Sequence, residues 1–131
     1  PELLSDTQAA TTLPRAIEKI ISWSFGPDTA PALLELATSR MQSIRPSVLH
    51  NDFVACDQFD IYARLEGIHQ PTHVICGTED QMTPLRYSQA LVDALPVAEL
   101  EVIPGAGHMV MLEQPEVVTD SLRAFLLGLG E

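Results

Sequence analysis

Asp80 and His108 are the residues of this chain whose types and surroundings could do chemistry. Asp80 lies in Gly77-Thr78-Glu79-Asp80-Gln81-Met82-Thr83-Pro84, directly after the apolar run Thr72–Cys76, and His108 closes Pro104-Gly105-Ala106-Gly107-His108, directly after Glu99–Ile103. In open parallel sheets functional groups gather at the carboxyl ends of the strands. Neighbouring strands run about 4.8 Å apart, so equivalent loops after them can bring a carboxylate within hydrogen-bond reach of an imidazole. Such a pair has a definite use: the carboxylate fixes the ring tautomer and stabilises the imidazolium that forms when the ring accepts a proton from a nucleophile. Taken singly, each residue has a plainer reading, since an Asp after a strand is commonly a turn former or a helix cap. Their joint placement after successive strands favours chemistry. Glu79 is the fallback acid, although its position beside Asp80 favours a solvated side chain.

The elements that must position this pair follow from period and punctuation. Thr72-His73-Val74-Ile75-Cys76-Gly77 is brief, β-branched and continuous, which predicts a parallel interior strand buried on both faces. Thr83-Pro84 reads as an N-cap followed by a first-turn proline, and Leu85, Ser88, Leu91, Val92 and Leu95 form the inner stripe of the helix it opens, which Pro96 ends. Glu99–Ile103 is a second strand, and Gly105 and Gly107 suit backbone angles that a Cβ would resist. A last helix from Pro115 is expected to bury Val118, Leu122, Phe125 and Leu126. Upstream, residues 13–69 read as a run of helices. Ile17, Ile20, Ile21 and Phe25 recur at helical spacing in the first, and Leu33, Leu36, Ala37, Met41 and Ile44 in the second. Pro46 opens a third with Leu49, Phe53 and Cys56 on its buried face, and a short helical segment capped by Asp60 runs to Glu66. Strand, helix, strand, helix requires parallel strands joined by a crossover.

Gly77-x-x-Asp80-x-x-x-Pro84, then Pro104-x-x-Gly107-His108, then Glu113-x-Pro115 opening a final helix resembles the C-terminal portion of the α/β-hydrolase family. The resemblance covers about residues 60–127, including the Leu65-x-x-Ile68-x-x-Pro71 lead into the first strand. It implies an α/β architecture and a partial α/β-hydrolase fold: a helical cap or lid over residues 1–59, then, over residues 60–131, the last two parallel strands and their flanking helices. It further implies a cofactor-independent serine-type hydrolase of small esters or activated carbonyls, with chain order nucleophile, acid, base. Asp80 would orient His108, and His108 would act as base. A catalytically silent binding or scaffold relative of the same fold is the alternative.

The nucleophile elbow G-x-S-x-G is absent. Its nearest imitation, Ser22-Trp23-Ser24-Phe25-Gly26, follows Ala16–Ile21, which reads as an amphipathic helix rather than a buried strand, so Ser24 is a poor nucleophile. Cys76 within a strand and Cys56 on an apolar helix face are read as reduced core thiols, where thiolate formation is disfavoured. Starting at Pro1 without an initiator Met, the chain reads as a piece of a longer protein. The nucleophile would then lie upstream, the isolated piece would hydrolyse nothing, and its first strand would expose an edge inviting pairing with a second copy or with the missing half.

Composition narrows the partners. Seven basic against 18 acidic residues, a net charge of −11, repel nucleic acid and anionic lipid surfaces. No stretch reaches the roughly 18 apolar residues of a membrane helix and no signal peptide is evident, so a soluble, cytoplasmic protein with a small-molecule substrate is expected. His69 and His73 have metal-like separation, but Pro71 between them prevents the helix that would align them, and no metal or cofactor is expected. Trp23, Phe25 and Phe53 are read as core.

Overall fold

The computed structural model describes residues 2–8 and 11–130, and these divide into two units: residues 1–22 with 30–60, and residues 23–29 with 61–131. The first holds α1 (Glu2–Gln8), most of α2 (Leu13–Ser24), α3 (Pro31–Gln42) and α4 (Pro46–Gln58). Prolines open α3 and α4 in the first turn, where the missing N–H has no intrahelical partner to lose. Ala16, Ile17 and Ile20 of α2 are buried, in keeping with their spacing. The sequence did not reveal α1, which packs against α4 and hydrogen-bonds it through Thr7 Oγ1 and His50 Nδ1 at 3.1 Å. Being 7 residues against 13, α1 covers only part of α4. Leu49 is therefore buried, Phe53 is half-buried, and Cys56 is exposed rather than part of a core.

The second unit opens with the segment 23–29, which the sequence reading had joined to the early helices. It continues with a 3₁₀ turn (Tyr62–Gly67), β1 (Thr72–Gly77), α5 (Leu85–Ala94), β2 (Ala98–Ile103), α6 (Val110–Glu113) and α7 (Pro115–Gly128). Ile61, not Asp60, holds the N-terminal position of the 3₁₀ turn, and no side chain caps it. The two strands pair in parallel with Thr72 opposite Ala98 and Gly77 opposite Ile103, so both end at the same level. Strand alternation puts Ile75 and Ile103 on one face, where they pack with Ala106, Val110 and Val118. On that face His73 ties β1 to α7: its ring stacks on Phe125 with centroids 5.0 Å apart, and Nε2 meets Ser121 Oγ at 2.7 Å. Helix α5 packs against both strands.

Burial is thinner than the apolar stripes suggest. Within the two-stranded sheet β1 is half-buried over most of its length instead of enclosed on both faces. Leu91 of α5 and Leu122 and Leu126 of α7 are exposed, because a sheet two strands wide offers a strip too narrow to cover a whole helix stripe. Helix α6 was not foreseen; four residues are too few for a period to show.

Two glycines let the strand ends meet. A Cβ on Gly77 would fall 2.0 Å from the Ala106 carbonyl oxygen and 2.5 Å from that of Gly107, so only a bare α-carbon lets the β2 loop cross there. Gly105 turns that loop at φ +75°, with nothing within 4 Å of where its Cβ would stand. The two substitutions should differ accordingly in urea denaturation. Gly77→Ala forces backbone apart and is expected to destabilise by about 3 kcal/mol. Gly105→Ala meets only left-handed strain and should cost about 1 kcal/mol.

Candidate active site

Residues after β1 and after β2 are stitched to one another before any side chain is considered. Thr78 N–H donates to the Ile103 carbonyl at 3.1 Å and Glu79 N–H to the Ala106 carbonyl at 2.9 Å, while Gly105 N–H donates to Thr78 Oγ1 at 2.9 Å. These bonds fix the acid loop against the base loop. Asp80 then points inward with its side chain 5% exposed, and His108 Nδ1 lies 2.9 Å from Asp80 Oδ2 with the imidazole 34% exposed.

A carboxylate only accepts, so Nδ1 donates to Asp80, and in the neutral ring the lone pair is left on Nε2. Among the described residues Nε2 has no hydrogen-bond partner. A buried acid beside a partly open base is the arrangement in which an imidazole can take a proton from an incoming hydroxyl while its other nitrogen is held.

Asp80 is also a turn former, and the two roles use different oxygens. Oδ1 accepts Thr83 N–H at 2.8 Å, whereas Oδ2 accepts Thr83 Oγ1 at 2.9 Å together with the imidazole. Thr83 was expected to cap α5. Instead Pro84 holds the N-cap position without a side-chain cap, because the Thr83 hydroxyl is turned back to Asp80 and stands 3.1 Å from His108 Nδ1. A Thr three residues after the candidate acid is the signal that could have revealed this contact. Glu79 is exposed and, among the described residues, accepts only from Thr78 Oγ1 at 3.1 Å.

Segment 23–26 crosses both loops. The Trp23 carbonyl accepts Gln81 N–H at 3.3 Å, beside the acid, and the Ser24 carbonyl accepts Met109 N–H at 2.9 Å, beside the base. Gly107 is needed here for close approach, not for an unusual backbone angle: its Cβ would lie 2.6 Å from Gly26 N and 2.7 Å from the Phe25 carbonyl carbon. Ser24 is 1% exposed at the end of a helix, so its hydroxyl lacks the access a nucleophile needs. Phe25 is buried and Trp23 half-buried. Cys76 is buried in β1. Among the described residues no group of His, Cys, Asp and Glu is arranged to hold a metal ion. His73 faces Glu99 and Glu101 across 2.9 and 3.4 Å, and His69 takes no part in these contacts.

Comparison with known proteins shows the family of the chain. The model of the alpha/beta hydrolase family matches residues 3–121, and the chain belongs to that family. A solved thermophilic esterase superposes over 99% of this chain and 51% of its own, with a TM-score of 0.86 and 36% identity. A putative carbamate hydrolase RutD of Pseudomonas syringae pv. syringae is 38% identical over 72 residues, which are 55% of this chain and 28% of that protein. A polyketide synthase, ThaQ, of Burkholderia thailandensis is 31% identical over 112 residues, 81% of this chain but 5% of that protein. The chain thus spans about half the length of the solved esterase and less of the curated relatives.

Asp80→Asn tests the tautomer argument. The amide can no longer accept from both Thr83 and the imidazole through a charged oxygen, and stability should fall by about 1–3 kcal/mol. Long-range ¹⁵N–¹H spectra of the imidazole are expected to show His108 protonated at Nδ1 in the parent chain and as a mixture of tautomers in the variant.

Proposed function

We propose that this chain supplies the acid and the base of a serine-type hydrolase acting on small esters or similarly activated carbonyls. The observation that carries the reading is the 2.9 Å contact from His108 Nδ1 to the buried Asp80. In the reaction Asp80 holds the imidazole and balances its charge, and His108 takes the proton of a serine hydroxyl as it attacks the carbonyl. The same Nε2–H then passes to the leaving oxygen. The serine and the amides that stabilise the oxyanion come from outside the chain, which is consistent with its spanning about half of the solved esterase. The helical part of residues 1–59, apart from the segment 23–29, is assigned as the cap of such a hydrolase.

Two further features of the reading concern setting and assembly. No helix among the described residues is long and apolar enough to cross a membrane, and Cys56 and Cys76 are free thiols, which supports a reducing, cytoplasmic setting. In the described sheet β1 pairs with β2 alone, so its other edge offers unpaired backbone groups to the remainder of a longer protein or to a second copy.

The chain alone is expected to hydrolyse no p-nitrophenyl ester and to take up no fluorophosphonate; stoichiometric labelling of a serine would overturn the two-part reading. In a parent enzyme carrying the nucleophile, His108→Ala should lower kcat by about 10⁴-fold. A variant that keeps full activity would remove His108 from the role of base, whereas an intact parent that hydrolyses nothing would favour a silent binding relative, whose ligand affinity does not depend on the imidazole. Sedimentation of the isolated chain should reveal association, and a monomer throughout would count against the open edge as a pairing surface.

A further inference from the structure

Glu113 lies at the end of α6, outside the acid–base pair, and both its oxygens accept hydrogen bonds. Oε1 accepts Gly107 N–H at 2.9 Å, and Oε2 accepts Gly26 N–H at 2.8 Å and Thr29 Oγ1 at 2.8 Å. Its donors are therefore the residue just before His108 and the far end of the segment whose carbonyls hold Gln81 and Met109. One carboxylate closes a ring of contacts that runs from the acid loop through residues 23–26 to the base loop and back.

We infer that Glu113 is a positioning residue: through Gly107 and Gly26 it sets where His108 stands relative to Asp80, and so governs proton transfer without touching the reacting atoms. This deepens the proposed function and rests on it. Three donors converge on two acceptor atoms, and an ionised carboxylate strengthens each bond. An amide of the same shape has one oxygen and one NH₂, so it satisfies one side and turns an N–H against the other. No side chain can fill the gap, since a Cβ on Gly26 would lie 2.3 Å from the Gly105 carbonyl oxygen. The carboxylate is the part of this arrangement that chemistry can change while leaving its size intact.

The test is Glu113→Gln in the ¹⁵N-labelled chain, read at the His108 imidazole and the Gly26 and Gly107 amides. The parent should show His108 protonated at Nδ1, and the variant should lose that single tautomer while the chemical shifts of α7 persist. In a parent enzyme with its nucleophile, the same change should lower kcat about 10- to 100-fold with little change in KM, as a base displaced by a fraction of an ångström would. A variant with an unaltered imidazole spectrum and unaltered kcat overturns the inference and leaves the acid–base reading standing. If the parent chain itself lacks the Nδ1–H tautomer, the acid–base reading fails and takes this inference with it. Should the variant not fold, hydrogen exchange in the parent decides. Gly26 and Gly107 amides held by Glu113 exchange at least about 100-fold more slowly than in a free peptide, and exchange at the free-peptide rate overturns the inference.

Discussion

The structure depends on the crossing of two loop backbones at Gly77 and Ala106, close enough that no side chain fits between them. Because β1 and β2 pair in parallel and end at the same level, their loops leave the sheet together, and the crossing locks them at once. Three backbone or Thr78-mediated hydrogen bonds then seal the junction. Everything chemical in the second unit is hung on this junction. Asp80 follows Gly77 by one turn, and His108 follows Ala106 by two residues. The meeting of acid and base is thus a property of the main chain that the side chains inherit.

Polar groups around the pair are used economically. Asp80 keeps one oxygen for its own turn and gives the other to Thr83 and His108, so the acid is held before the imidazole arrives. Buried carboxylates are costly unless each lone pair is met, and here every donor is local or comes from the adjoining loop. Glu113 repeats the pattern on the base-loop side, gathering Gly107, Gly26 and Thr29. The base itself is left with one nitrogen committed and one open.

Much of this was legible in the sequence where glycine and proline punctuate short apolar runs. Thr72–Gly77 and Glu99–Ile103 read as strands because they are too brief and too β-branched for helices, and the loops behind them announce themselves by Gly77, Gly105 and Gly107. The resemblance to the α/β-hydrolase family rested on the motifs in those loops, and the match of the family model over residues 3–121 shows the membership. What escaped is what has no period. The seven residues of α1 and four of α6 are too short for a stripe to repeat. Thr83 beside Pro84 looks like a helix cap, and only the partner available in space decides that its hydroxyl turns back to Asp80. The joining of segment 23–29 to loops 58 residues later at Gln81 and 85 residues later at Met109 rests on main-chain carbonyls and amides, which every residue carries and no composition reveals. Apolar stripes overstate burial for a related reason: Leu122, Leu126 and Cys56 mark a face without saying whether anything lies against it.

The closeness of Asp80 and His108 along the chain, 28 residues, carries a consequence for how the molecule is made. Loop-closure entropy rises only by about 0.6 kcal/mol for each doubling of length, so a strand–helix–strand crossover unit of this size closes at little entropic cost. The strap at Gly26 is synthesised 87 residues ahead of Glu113 and has long left the ribosome when that carboxylate emerges. Once Glu113 is out, every donor and acceptor around the imidazole already exists on the nascent chain, and assembly of the pair need not wait for the last helix.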